Sequence, residues 1–414
     1  MKEFSLKRRF TFGTFTFLLL HSFLVSGGAR PWSNDVVTYS FHAVDFSMGF
    51  CTRILPGAIY KLIVGKWSIE AANAFDSVLM ILFFAVLSVF CGKLTDSVGK
   101  DDRCAFLVVM LLFLTGPCTF PMYVIELGMI DFWWLFFTAA AIFLLSTKRL
   151  YPLIVPVGAL CVMIHYAAMF TFVPLIVLLI LYKCVTESGK KNKTALFCVA
   201  VLTAAFASAT ALYFLLNEKS NLVYTREELD AILASRGVEF FDYYDYGFYD
   251  HLADERFLSA GAATASEPFS LMETVMQKIS VNAKLLEFPT KLPVIVLMIP
   301  AVALLFGFIF STVKYRSSKI ERTILLLSPA LFVVSLCIGL MFSADVIRFL
   351  GHSFLGMFTF IMFVIYSDNK RNNGSESKKG PASYFTELFR RIPPGIVAVY
   401  VIIYVLTVWE PYRA

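Results

Sequence analysis

At 414 residues, the chain is 58% hydrophobic and only 16% charged, with a mean hydropathy of +0.73. A soluble domain carries about 25% charged residues, so the composition excludes an ordinary soluble protein and predicts an all-α polytopic membrane protein. The net charge of +6 follows a membrane topology, as the loops show below, and no nucleic-acid partner is expected.

A helical span needs roughly 17–25 apolar residues. Eleven segments meet or approach that length: about 10–27, 73–92, 105–123, 131–147, 150–165, 167–183, 194–215, 292–313, 323–343, 349–367 and 393–409. The run 151–182 is continuous, and two spans there require a tight hairpin near His165. With the N-terminus inside, the segments 1–9, 93–103, 148–149, 183–193, 314–322 and 370–391 become inner loops. They hold 23 of the 36 Lys and Arg residues, as the positive-inside rule requires. The expected location is the cell membrane, with many passes. The first apolar segment reads either as a signal anchor or as a cleaved signal peptide.

The eight cysteines include no CxxC pair and outline no disulfide framework. The sequons at Asn192 and Asn373 fall on the inner side, where glycosylation is not expected.

Inner loops are short and basic, apart from a cytoplasmic linker over 368–392. It starts as a flexible polar stretch and ends in "SYFTELFRR", a short amphipathic helix expected on the anionic inner leaflet. The outer side is richer. The first outer loop, 28–72, contains "ILPGAIYKLIVGKW", whose apolar stripe (Ile54, Leu55, Ile59, Leu62, Ile63) suits an interfacial helix. The large outer loop, 217–291, contains "TREELDAILASRG", a helix capped by Thr225 and Glu228 and stopped by Gly237. An aromatic and acidic stretch follows at 239–257. A second amphipathic helix, "PFSLMETVMQKISVNAKLL", leads to the next span. Loops this long and patterned point to ordered, functional structure.

Ionisable residues gather at the outer turns. "YSFHAVDFSMGFCTRILPG" supplies His42, Asp45 and Arg53. Asp45 and Arg53 are eight residues apart, which places both on one face if the segment is helical. A solvated salt bridge would need no function and would contribute little. A carboxylate at the membrane surface can instead act as general base, and an arginine can hold a phosphate bidentately. "GPCTFPMYVIELGMIDFWW" places Glu126 and Asp131 at a span boundary, where acids are costly unless paired or wet. His165 ends an apolar run before an outer turn. "SADVIRFLGHS" places Asp345 and Arg348 at i, i+3, with His352 one turn further. No P-loop, HExxH, GxSxG or zinc spacing occurs in the sequence.

These stretches resemble the integral-membrane glycosyltransferases of the C-type fold and the bacterial polymerases that assemble surface-polysaccharide repeat units. "DFSMGFCTR" (Asp45, Gly49, Arg53) is similar to the first-loop acid of the C-type enzymes with its later Gly and Arg. "ELGMIDFWWLFF" (Gly128, Asp131) is similar to a Gly-x-x-Asp step that opens one of their spans. "MIHYAAMFTFVP" (His165, Pro174) and "DVIRF" (Arg348) are similar to polymerase features. Where those polymerases carry an arginine before the span that starts near Phe132, this chain has Glu126 and Asp131.

The resemblance covers about the first 180 residues and the turn near 348. It implies a polyprenyl-phosphate or polyprenyl-diphosphate sugar as donor, a glycan or glycolipid as acceptor, and reaction at the outer face of the bilayer. Asp45 is the leading base, with Asp131 and Glu126 in reserve. Arg53, Arg348, His42, His165 and Asp345 would bind substrate, and Mg²⁺ or Mn²⁺ would be a possible cofactor. A secondary transporter or flippase of lipid-linked sugars is the alternative, and a non-catalytic assembly subunit is a third reading. A transporter should carry polar groups in mid-span, whereas "LMILFFAVLSVF", "AFLVVMLLFL" and "LFCVAVLTAAFA" carry no ionisable group.

Overall fold

The computed structural model describes residues 5–25, 49–50, 54–125, 130–146, 151–164, 166–186, 198, 200–208, 221–222, 226–235, 291–342, 346–372 and 381–407. The chain is helical, with several apolar helices suited to crossing a membrane. In chain order these are α1 (Leu6–Val25), α2 (Ile54–Val64), α3 (Ile69–Ser97), α4 (Lys100–Leu114), α5 (Phe120–Ile125), α6 (Ile130–Ser146), α7 (Ile154–Ile164) and α8 (Phe172–Thr186). Then follow α9 (Arg226–Ser235), α10 (Lys291–Lys314), α11 (Lys319–Phe342), α12 (Val346–Asn372), α13 (Ser383–Phe389) and α14 (Pro394–Leu406). Residues 200–208 are helical too.

Each of the eleven apolar segments thus contains helix, but their lengths differ. Among the described residues, four helices are long and apolar enough to cross: Glu70–Ser97, Leu292–Lys314, Lys319–Gly339 and Ile347–Arg371. α13 and α14 meet at 111°, forming a broken or re-entrant fifth. At 1.5 Å per residue, the 11 residues of α7 extend only about 16 Å. The hairpin expected near His165 corresponds to a break between Ile164 and Phe172, filled partly by a 3₁₀ turn over Tyr166–Met169.

Local chemistry explains the ends. The Ser68 hydroxyl accepts the Ala71 N–H (3.1 Å) and caps α3. Asp101 and Asp102 occupy the first turn of α4, where the helix dipole favours acids. Gly65, at φ +83°, closes α2 in a conformation that other residues adopt at a cost. The apolar stripe of α2 divides: Leu55 is buried, whereas Leu62 is 87% exposed and Ile63 64% exposed. That exposed apolar turn is what an interfacial helix presents to lipid.

α12 is the central helix. From Gly351 to Ile365 nearly every side chain is buried, because "GHSFLGMFTFIMFVI" is apolar on most of its circumference. It packs on α3, α8, α10 and α11. Close crossings need small residues. A Cβ at Gly351 would collide with the Cys118 carbonyl, and one at Gly339 with the Phe349 ring. Gly92 meets Thr11 and the Lys7 carbonyl, so α1 is seated directly along α3. Gly351→Ala is therefore expected to cost about 1–3 kcal/mol through overpacking against backbone. Gly13→Ala, which meets nothing within 4 Å, should be neutral or slightly stabilising. Heat-induced unfolding midpoints of the two purified variants decide the point, and equal midpoints would refute the crossing argument.

Contacts between distant segments sort the helices into two ends. At one, here the basic end, Asn369 donates to Ser97 (3.3 Å), Thr386 donates to Asp102 (2.7 Å), and Lys183 bonds the Leu145 carbonyl. At the other, the loop end, His21 Nε2 donates to the Val405 carbonyl (3.3 Å) and Phe75 meets Trp133 (6.2 Å). α13 belongs to the basic end, but its apolar side does not face outward. Phe385 is buried and stacked on Phe308 at 5.1 Å and 9°, so the protein core takes the surface expected on a leaflet. The helix α12 continues through Asn372, so residues 368–372 of the expected linker are helical, with Asp368 and Asn369 buried.

Candidate functional site at the loop end

A short antiparallel pairing joins the 28–72 segment to the 217–291 segment. Gly49 pairs with Leu222 and Phe50 with Asn221. This bridge lies four residues after Asp45 and ends three before Arg53. α2 follows at once and packs on α3 and α7. The helix expected in the large loop is present as α9, and its Ile232 packs against the core.

An aromatic and polar layer joins α2, α3 and α6. Tyr60 is buried and donates to the Lys66 carbonyl (3.1 Å). Its ring meets Phe75 edge-on at 5.5 Å, and Phe75 in turn meets Trp133. Burial pushes the Tyr60 hydroxyl above its ordinary pKa, a backbone contact at Ser68 pulls it down, and the Asp76 carboxylate pushes it up again. Asp76 is 0% exposed in the second turn of α3. The Trp67 and Trp133 indole N–H groups are buried with no hydrogen-bond partner among the described residues.

The residues expected from the sequence fall as follows. Asp131 is the second residue of α6, two before Trp133 and so at this same end. Arg348 is half-buried in the first turn of α12, and His352 is one turn deeper, buried between Phe172 (5.6 Å) and Phe349 (5.9 Å). His42, Asp45, Arg53, Glu126, His165 and Asp345 lie outside the described residues, as does the second amphipathic helix of the large loop.

Sequence reasoning passed over two groups. One is Asp76, although a lone acid in the outermost turns of an apolar span is itself a signal. The other is a charge cluster at the basic end. There Asp368, 1% exposed, accepts from Tyr182 (2.9 Å) and pairs with Arg316. Arg316 also approaches Glu321 (3.5 Å), which Arg371 approaches at 3.3 Å. Burial opposes the Arg316 charge, but Tyr182, Asp368 and Glu321 outweigh it and hold its pKa above the ordinary value. Two arginines balance two acids there, which fits a structural clasp between the α10–α11 turn and α12. Among the described residues no group of three or more His, Cys, Asp or Glu is placed to hold a metal.

Comparison with protein-family models, curated proteins and solved structures returns no match.

Proposed function

We propose that the chain is an integral-membrane glycosyltransferase or polysaccharide polymerase using a polyprenyl-phosphate or polyprenyl-diphosphate sugar at the outer face of the cell membrane. The observation that carries this reading is the Gly49–Phe50 bridge to Asn221–Leu222. It links the chain between Asp45 and Arg53 to the large loop, and Asp131 and Arg348 stand at the starts of α6 and α12. A lipid-borne phosphosugar meets water at such a surface. Asp45 takes the acceptor hydroxyl proton as that oxygen attacks the anomeric carbon, with Asp131 and Glu126 in reserve. Arg53 or Arg348 neutralises the departing phosphate, and His42, His165 and Asp345 line the approach. A divalent cation, Mg²⁺ or Mn²⁺, is the alternative counter-charge. Product formation from a polyprenyl-linked sugar by the purified chain tests the reading, and transbilayer movement without product would favour the flippase alternative. That alternative draws support from the buried serines and histidine between α8, α11 and α12.

We further propose eleven spans with the basic end inside and the tail after α14 outside. The support is that segments assigned to one side from charge alone meet one another, as in the Asn369–Ser97 and Thr386–Asp102 contacts. Single cysteines at 375 and 240 are expected to differ in intact cells. A membrane-impermeant maleimide should label 240 and spare 375, and the reverse pattern refutes the orientation.

A further inference from the structure

Between α8, α11 and α12 lies a recess lined by Phe170, Leu175, Phe332, Met357 and the polar side chains of Ser328, Ser335, His352 and Ser353. The recess has a volume of about 30 Å³ and is open on one side. Three features define what it can take. The Ser328, Ser335 and Ser353 hydroxyls are buried with no hydrogen-bond partner among the described residues, and all three line this one recess. Buried hydroxyls left unmatched are costly, so three lining one recess call for an occupant whose groups both donate and accept. Among the described residues no Asp, Glu, Lys or Arg lines the recess, so a charged occupant is disfavoured. Beside His352 and Thr171, the remaining walls are aromatic rings and aliphatic carbon, with Phe170 45% exposed at the rim.

The fold adds a fourth feature. Pro329, inside α11, lacks an N–H, so the Leu325 carbonyl has no helical donor one turn from Ser328. Gly356 contributes no side chain and leaves the α12 wall open. On the loop-end side, Arg348 stands one helical turn above His352.

We propose that this recess is a carbohydrate subsite, in which the sugar's C–H face packs on Phe170 and Phe332 and a hydroxyl or hydroxymethyl arm enters among Ser328, Ser335 and Ser353. A volume of about 30 Å³ holds a few waters or such an arm, but not a whole ring. This rests on the polyprenyl-phosphosugar reading, with the phosphate at Arg348 and the sugar directed into the bundle. It also accounts for serines deep in α11 that a purely surface reaction leaves without a role.

The test uses the full chain in lipid nanodiscs and direct binding of two kinds of probe. One is bare polyprenyl phosphate. The other is a panel of polyprenyl phosphates carrying glucose, galactose, mannose or N-acetylglucosamine. At least one glycosylated lipid is expected to bind roughly tenfold tighter than the bare lipid, as one or two net hydrogen bonds allow. The triple variant S328A/S335A/S353A should lose most of that gap while its affinity for the bare lipid stays unchanged. Equal binding of bare and glycosylated lipids by the unmodified chain means the recess holds only water, and overturns the subsite while leaving the phosphate reading intact. A gap that persists in the triple variant also overturns it. Binding of no lipid at all overturns both.

Discussion

Asp45→Asn is expected to abolish product formation while leaving the amount of protein in the membrane unchanged. A general base contributes roughly 10²- to 10⁴-fold, and an amide is isosteric with the carboxylate but cannot accept the acceptor's proton. The neighbouring Gly49–Phe50 bridge consists of backbone pairing, which the substitution leaves in place. Arg53→Lys separates the other half of the mechanism. It keeps the charge but loses the planar fork, so donor binding should weaken more than folding. The measurement is polymer or glycolipid made in cells at matched protein level, with Asp131→Asn, Glu126→Gln and Asp76→Asn in parallel. Asp76 is enclosed beside Tyr60, out of reach of a substrate, so its loss should lower stability before it lowers turnover. Wild-type product from Asp45→Asn together with none from Asp131→Asn reassigns the base. Product from every carboxylate variant removes the enzyme reading and leaves the transporter or subunit in its place.

What the sequence discloses depends on the range of the force involved. Apolar length is a local property, so the segments that become α3, α10, α11 and α12 are legible at once. Basic residues in the loops are local too, and two of the segments they group together meet, Ser97 with Asn369 and Asp102 with Thr386. Partner choice is not local. "SYFTELFRR" has the pattern of a leaflet helix, yet Phe385 stacks on Phe308, a residue 77 positions away that no pattern links to it. Serines raise the same difficulty. In "LLLSPALFVVSLC" Ser328 and Ser335 look like tolerated polar residues of a span. Only the approach of α8 and α12 shows that they line one recess with Ser353. Asp368 sits at the end of an apolar run and reads as the first linker residue. Its burial becomes visible only when Arg316 and Tyr182 are brought to it from 52 and 186 residues away.

That clasp yields the largest expected change in stability. Asp368→Ala leaves the Arg316 guanidinium in a nearly closed site with the neutral Tyr182 hydroxyl (3.2 Å) and with Glu321, which Arg371 already shares. Removing one partner of a buried pair costs about 3–5 kcal/mol, because the remaining charge stays desolvated without compensation. Arg316→Ala should cost a similar amount for the mirror reason: Asp368 would keep only Tyr182 and the distant Arg371, at 3.9 Å. The double variant Arg316→Met, Asp368→Leu removes both charges and fills the space with apolar volume. Glu321 and Arg371 remain paired at 3.3 Å, so the site stays neutral. The double variant is therefore expected to unfold at a higher temperature than either single variant, recovering most of the loss. Unfolding midpoints of the four purified proteins in one detergent provide the cycle. If the double variant loses as much as the two single variants summed, Arg316 and Asp368 act independently and the clasp between the α10–α11 turn and α12 is not what holds this end together.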